Sequence, residues 1–276
     1  MEGVTHQQNI LSEDRGAVRL LTLNRPQVRN AMSLPLMREL RARLEEARAD
    51  AHVRAVVLTG AGQAFCAGLD MEELRAMSGR SAEEHRADSE VFRSLLETLY
   101  LFPKPTVAAV NGHAVAGGAG LAAVCDLTLM SAGAKMGFTE AKIGFVAALV
   151  TVFMVRLVGE KHARDLLLTG RLVGADEANR IGLVNEVAPP EGVLERALER
   201  AHELTRSAPS SLSLTKAMIA AAPSLGVHEG MRYAADLNAL ARAGSELREG
   251  VAAFLEKRDA AWVAALPASP ASGEKA

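Results

Sequence analysis

Two glycine-containing turns hold the residues whose types and spacing could do chemistry. The first is Ala64-Phe65-Cys66-Ala67-Gly68-Leu69-Asp70, where Asp70 is placed to cap a helix starting at Met71 and leave free N–H groups at its N-terminus. The second, Asn111-Gly112-His113-Ala114-Val115-Ala116-Gly117-Gly118-Ala119-Gly120, follows the apolar run Thr106 to Val110. Glycine lets a backbone approach a ligand closely, and a strand-to-helix turn presents uncommitted donors. If the turns met in space, two main-chain amides could hold a developing oxyanion, each worth roughly 3 kcal/mol in a transition state. Taken singly, each turn fits a purely structural role equally well. Neither is a phosphate loop: GxxxxGK[ST] is absent, and Gly117-Gly118-Ala119-Gly120 is not GxGxxG.

The elements that must position these turns are legible. Val18 to Leu23 and Val53 to Thr59 are short apolar runs ending at breakers, and both predict buried strands. Between them Ser33 predicts an N-cap, Pro35 sits in a first turn, and Leu36, Leu40, Leu44 and Ala47 recur on one helical face. Thr106 to Val110 and Leu127 to Met130 repeat the strand signal, so strands and helices alternate. After about residue 145 helical periodicity dominates, over Val150–Val158, Glu160–Leu168, Ala175–Arg180, Glu191–Thr205, Ser211–Ala221 and Gly226–Ala243, with only Leu183–Val187 as a strand. The chain thus divides into an α/β core over 1–190, a helical region over 191–265 and a low-complexity, disordered tail over 266–276.

The bulk numbers exclude several classes. The 276 residues suffice for a sizeable core, and 31 Lys+Arg against 33 Asp+Glu leave a net charge of −2, without the excess of cations that nucleic acid or an anionic membrane would attract. Cys66 and Cys125 sit in apolar stretches without metal-ligand spacing, which argues against disulfides and structural zinc and fits a reducing, cytoplasmic setting. The polar N-terminus does not read as a signal peptide, and Asp126 interrupts the apolar run Leu121 to Met130, so a soluble protein without a membrane span is expected.

The blocks LNRPQVRNAMS (23–33), FCAGLDMEEL (65–74), KPTVAAVNGHAVAGGAGLAAVCDL (104–127), FTEAKIGF (138–145), ARDLLLTGRLVGADEANRIGLVNEV (163–187) and EGVAAFLEKR (249–258) resemble, in order and spacing, the enoyl-CoA hydratase/isomerase (crotonase) superfamily. The resemblance covers about residues 15–260. It implies an α/β fold, the crotonase ββα spiral core with a C-terminal helical trimerisation region, and a homotrimer or hexamer acting on an acyl-CoA thioester. It implies an oxyanion hole made by the amides of Leu69 and Gly117, with Glu140 as the carboxylate acting on the substrate's α-carbon. Apolar Phe138, Ile143 and Phe145 are expected to desolvate Glu140 and raise its pKa. No metal, nucleotide or flavin cofactor is implied, since CoA belongs to the substrate.

One departure stands at Gly120, where two-carboxylate hydratases of the family carry another Glu. Either another group positions the water, or one carboxylate shuttles a proton between carbons, as in Δ3,Δ2-enoyl-CoA isomerases. The patterns GGAGLAAVCD and FTEAKIGFVAALV resemble bacterial methylglutaconyl-CoA-type hydratases, which favours hydration; a non-catalytic acyl-CoA-binding protein is the third reading. For CoA, the resemblance implies Arg25 near the pocket, backbone groups around Ala64, Cys66 and Ala67 for adenine, and Phe254 with Lys257 on a helix that reaches a neighbouring subunit. Met77, Leu95, Val146, Ala147 and Leu149 are expected to set the acyl pocket's depth. His113 and Cys66 lie in the turns but read better as structural residues, Cys66 because no positive charge stands near it.

Overall fold

The computed structural model describes residues 8–267. A six-stranded sheet runs in the order β1-β2-β3-β5-β7-β10, from β1 (Ile10–Arg15), β2 (Val18–Leu23), β3 (Ala55–Gly60), β5 (Thr106–Val110), β7 (Leu127–Ser131) and β10 (Glu186–Ala188). The β1–β2 pair is antiparallel and every other pair parallel. Every residue of β3 and β5 is buried, as expected of parallel strands covered on both faces. A smaller sheet, ordered β4-β6-β8-β9, is built from three-residue strands: β4 (Ala64–Cys66), β6 (His113–Val115), β8 (Lys135–Gly137) and β9 (Leu172–Gly174). Its first three strands are parallel and β9 runs antiparallel to β8.

The first helix, α1 (Leu34–Ala49), forms as its sequence dictates: Ser33 accepts from the Leu36 N–H, Pro35 occupies the first turn, and Leu36, Leu40, Leu44 and Ala47 are buried. It packs with α3 (Ala82–Tyr100) over one face of the large sheet, in a core that continues into the small sheet through Phe65, Cys66, Met136 and Phe138. The site helices α2 (Met71–Met77) and α4 (Gly117–Ala123) follow β4 and β6 directly. The other face of the large sheet is covered by α7 (Val193–Thr205), whose Val193, Ala197, Leu198 and Ala201 pack on Val18, Val57, Val107 and Ala109.

The remaining helices are α5 (Ala148–Thr169), α6 (Ala175–Arg180), α8 (Pro209–Ala221), α9 (Val227–Ala243), α10 (Ser245–Glu256) and α11 (Ala261–Ala264). Within α5, Gly159 has φ 72° and ψ 164°, so the two helical periods of the sequence are two segments joined at a break. The strand expected over Leu183–Val187 starts later, at Glu186. Asn185 exchanges bonds with Thr128 (its N–H to Thr128 O at 2.8 Å, its Oδ1 accepting from Thr128 N–H at 2.8 Å), while Leu183 and Val184 turn into the core. Strands of three residues are too short to show a period of two, so the small sheet was invisible to pattern reading. Of the expected tail, residues 268–276 lie outside the described residues.

Candidate active site

The small sheet places three turns side by side. β4, β6 and β8 are parallel neighbours, with Ala64 opposite His113, Cys66 opposite Ala114, and Val115 opposite Gly137. Their C-terminal ends therefore open on one edge, the usual place for ligands in parallel sheets. Past β4 come Gly68, Leu69 and Asp70; past β6 come Ala116 and Gly117; past β8 come Phe138, Thr139 and Glu140.

Leu69 is held in a parallel bridge with Met32. The Met32 N–H donates to Gly68 O at 2.7 Å, and the Asp70 N–H donates to Met32 O at 2.9 Å. In such a bridge the residues on either side make the bonds, so Leu69's own N–H faces away from Met32, and it donates to no acceptor among the described residues. Gly68, at φ +92°, is pressed against the second turn: a Cβ there would stand 3.0 Å from both Ala116 Cβ and Val115 O. The turns also meet at Gly118, where a Cβ would lie 2.5 Å from Cys66 O. Gly117 begins α4, so its N–H has no acceptor within the helix, and it makes no other bond among the described residues. Ala116, at φ 53°, is fixed by its N–H donating to Gly137 O at 2.8 Å. The two turns are thus in contact, and each carries an amide, of Leu69 and of Gly117, without an acceptor among the described residues.

Glu140 opens a short 3-10 turn ending at Gly144, where φ is +75°. The residue is 7% exposed, and its Oε2 is buried with no hydrogen-bond partner. Burial raises its pKa above the ordinary glutamate value, a bond from its own N–H pulling weakly the other way. Of the three apolar neighbours expected to shield it, Phe138 is fully buried. Ile143 and Phe145 are 66% and 49% exposed, the turn carrying them to the surface after Glu140.

Gly120 lies one turn into α4, and a Cβ there would meet Val150 Cγ1 at 2.5 Å. The room where a second carboxylate would begin is taken by Val150, a residue pattern reading did not single out. Met32 and Phe92 were missed as well: a Cβ on Gly117 would lie 2.4 Å from Met32 Cε and 3.1 Å from Phe92 Cζ. A signal existed for both, since Met32 lies in the LNRPQVRNAMS block and Phe92 sits one turn before Leu95 and Leu96 of the buried stripe on α3.

The residues expected to contact CoA are more scattered. Ala64 O accepts from Asn30 Nδ2 at 2.8 Å, Ala67 is exposed, and Cys66 is fully buried with its thiol pushed up to about 12 by burial. Phe254 (82% exposed) and Lys257 stand at the C-terminal end of α10, which packs on α9. Arg25 uses one nitrogen, Nη1, to donate to Ala31 O at 2.7 Å and Asp70 Oδ2 at 2.8 Å. Asp70 also caps α2 through the Glu72 N–H at 2.9 Å. Burial opposes its ionisation, but the bonds from Arg25 and Glu72 outweigh burial and hold the carboxyl below the usual range. His113 Nδ1 accepts from the Lys135 N–H at 3.1 Å and belongs to the sheet.

Of the expected acyl-pocket residues, Leu95 is fully buried, whereas Val146 and Ala147 line an outer groove of ≈ 460 Å³ with Phe145 and Val155, and Leu149 lines another of ≈ 300 Å³ beside Tyr100 and Phe153. Neither groove is lined by Leu69, Gly117 or Glu140. Among the described residues no group of three or more His, Cys, Asp and Glu could hold a metal, and no helix is long and apolar enough to cross a membrane.

Residues 13–265 match the sequence model of the family described as Enoyl-CoA hydratase/isomerase. A Thermus thermophilus protein named "Putative enoyl-CoA hydratase" is 51% identical over 245 residues, covering 89% of this chain and 97% of its own length. The "Short-chain-enoyl-CoA hydratase" of Clostridium acetobutylicum is 32% identical over 252 residues, covering 91% and 95%. Among solved structures, Pseudomonas aeruginosa AtuE superposes with a TM-score of 0.88 at 39% identity, covering 92% of this chain and 99% of that one.

Proposed function

The chain belongs to the enoyl-CoA hydratase/isomerase family and has its crotonase fold, two mixed sheets with C-terminal helices, and from that premise we infer an enoyl-CoA hydratase, which adds water reversibly across the C2=C3 bond of a 2-enoyl-CoA. The observation that supports the chemistry is a buried carboxylate oxygen without a partner just past β8, together with two amides without an acceptor just past β6 and β4 of the same small sheet. We assign the roles as follows. The N–H groups of Leu69 and Gly117 donate to the thioester oxygen as it gains negative charge. Ionised Glu140 takes a proton from water as the oxygen bonds to C3; the C2=C3 electrons move toward the thioester and make an enolate. The protonated acid then returns that proton to C2, so water is added and the carboxylate regenerated. One carboxylate must do both steps, because Gly120 offers no side chain.

The glycine at 120 combined with Glu140 and the FTEAKIGFVAALV pattern supports the finer reading of a methylglutaconyl-CoA-type substrate. Ala64, Cys66, Ala67, Phe254 and Lys257 are the residues assigned to CoA, with Lys257 for a phosphate; Arg25, whose Nη1 is engaged by Ala31 O and Asp70 Oδ2, is kept apart from that set. Residues 1–190 would bind and react, and 191–265 would assemble a trimer or hexamer; exposed Val152, Val155, Leu168, Val227, Met231 and Phe254 are the apolar surface such an assembly would cover. The two buried free thiols suit a reducing cytoplasm.

The deciding experiment incubates the protein with crotonyl-CoA, 3-methylglutaconyl-CoA and a 3-enoyl-CoA in ¹⁸O-labelled water. Label at C3 of the product establishes hydration, and the better of the first two substrates fixes the acyl class. A shifted double bond without label would replace the hydratase by the isomerase. No turnover with any of them would favour a binding protein.

A further inference from the structure

The segment Arg25–Met32 lies along the first turn and contacts it at five points. The Ala67 N–H donates to Arg29 O at 3.0 Å, Met32 bridges Leu69 through Gly68 O and the Asp70 N–H, Asn30 Nδ2 donates to Ala64 O, and Arg25 Nη1 bonds both Ala31 O and Asp70 Oδ2. Four of these are local: they fix one backbone group against its neighbour. The fifth differs, because a single guanidinium nitrogen bonds the two strands of the bridge at once, one acceptor just before Met32 and the other just after Leu69. Both side chains are largely buried, Arg25 at 21% and Asp70 at 10% exposed, so water competes little for the pair. Arg25 is itself pinned, its N–H donating to Asn30 Oδ1 at 2.9 Å.

We propose that Arg25 is a positioning residue for the reaction: by clamping Ala31 and Asp70 together it sets the direction of the Leu69 N–H. A donor to an oxyanion is useful only where the charge develops, so a peptide free to rock about the Met32 bridge would lose much of its effect. Asp70 then has two tasks, capping α2 and receiving the clamp, and Leu69 lies between them. The inference deepens the hydratase reading and rests on it, and it gives Arg25 a task other than holding the CoA phosphates.

The test compares Arg25→Met, Arg25→Lys, Asp70→Asn and the Arg25→Met/Asp70→Asn double variant, by steady-state kinetics and by the infrared C=O band of a bound, unreactive ¹³C-carbonyl saturated acyl-CoA. The clamp predicts a fall in kcat of about 10- to 100-fold in Arg25→Met, with KM changed by less than about threefold, and a bound carbonyl band displaced toward its position in free ligand. Arg25→Lys should recover part of both, since an ammonium can reach one of the two acceptors, and the double variant should be no worse than the worse single one. A raised KM with unchanged kcat and an unmoved band would overturn the clamp and make Arg25 a phosphate ligand. If the wild-type protein itself leaves the band at its free position, the two-amide hole fails and the clamp falls with it; a wild-type shift that survives in Arg25→Met refutes the clamp alone.

Discussion

Placing a side chain at position 120 should be tolerated only when Val150 is cut back. In Gly120→Ala the new Cβ would stand 2.5 Å from Val150 Cγ1, about 1 Å or more inside the ordinary carbon–carbon contact. Val150 is 3% exposed in the first turn of α5, where a valine has essentially one favoured χ1 rotamer, so it cannot swing away freely. Overpacking of this kind costs about 1–3 kcal/mol, against which alanine in place of a helical glycine returns about 1 kcal/mol. The net for Gly120→Ala is a loss of about 0–2 kcal/mol. Val150→Ala alone removes two buried carbons and should cost about 2–3 kcal/mol including the cavity. On that background Gly120→Ala meets no clash and should stabilise by about 1 kcal/mol, giving a coupling of about 1–3 kcal/mol. Urea unfolding of the four proteins at one fixed concentration measures it. Additivity within about 0.5 kcal/mol would refute the steric reasoning. The functional counterpart is Gly120→Glu: alone it should lose hydratase turnover, and with Val150→Ala it should regain at least about tenfold, as a carboxylate finds room opposite Glu140.

Glu140→Gln should lower turnover by on the order of 10² or more and leave CoA-ester binding nearly intact. Because burial raises the Glu140 pKa and the carboxylate must start ionised, the acid limb of kcat/KM should lie above the ordinary glutamate range, and a limb at the ordinary value would count against desolvation. The linked stability has a definite sign: the native state holds this proton more tightly than the unfolded one, so the contribution is complete below the ordinary pKa of 4.5 and is lost as pH rises through the raised folded value. Glu140→Gln should abolish that slope, read from denaturation midpoints across the window. Cys66, with its thiol near 12, should hold a thiolate fraction of only about 10⁻⁴ at pH 8 and resist iodoacetamide until the protein unfolds; labelling at the rate of a free thiol would contradict its burial. Asn30→Ala should destabilise by about 3–5 kcal/mol, since it strands Ala61 O, Ala64 O and the Arg25 N–H and puts alanine at φ 55°; a melting temperature within about 3 °C of wild type would show those bonds to be worth little.

What could be read from the sequence depended on how locally each feature is encoded. Strands β2 and β5 were found at their true limits because a buried parallel strand is a run of apolar residues closed by breakers, and α1 because its cap and its stripe lie within one helix. The two glycine turns were visible for the same reason, as local clusters of small residues, and at Gly68, with φ +92°, the backbone itself favours glycine. Strand β1 was not visible, as only Ile10 of its six residues is buried, an edge strand with no apolar period to detect. Residues that act across the chain left weaker traces still. Val150 is one apolar residue in an apolar helix, and nothing nearby says that it fills the space above Gly120, thirty positions earlier. Arg25 reads as one more cation near a pocket until Asp70, forty-five residues on, is seen to accept from it. The family resemblance could supply Glu140 and its three apolar neighbours, yet not that Phe138 would be fully buried while Ile143 and Phe145 reach the surface. A turn four residues long decides which of these neighbours are buried, and periodicity has no access to a reversal on that scale. Local sequence thus predicts where donors can be exposed, while the partner that aims a donor, or the wall that excludes a second acid, is set by packing between segments far apart in the chain.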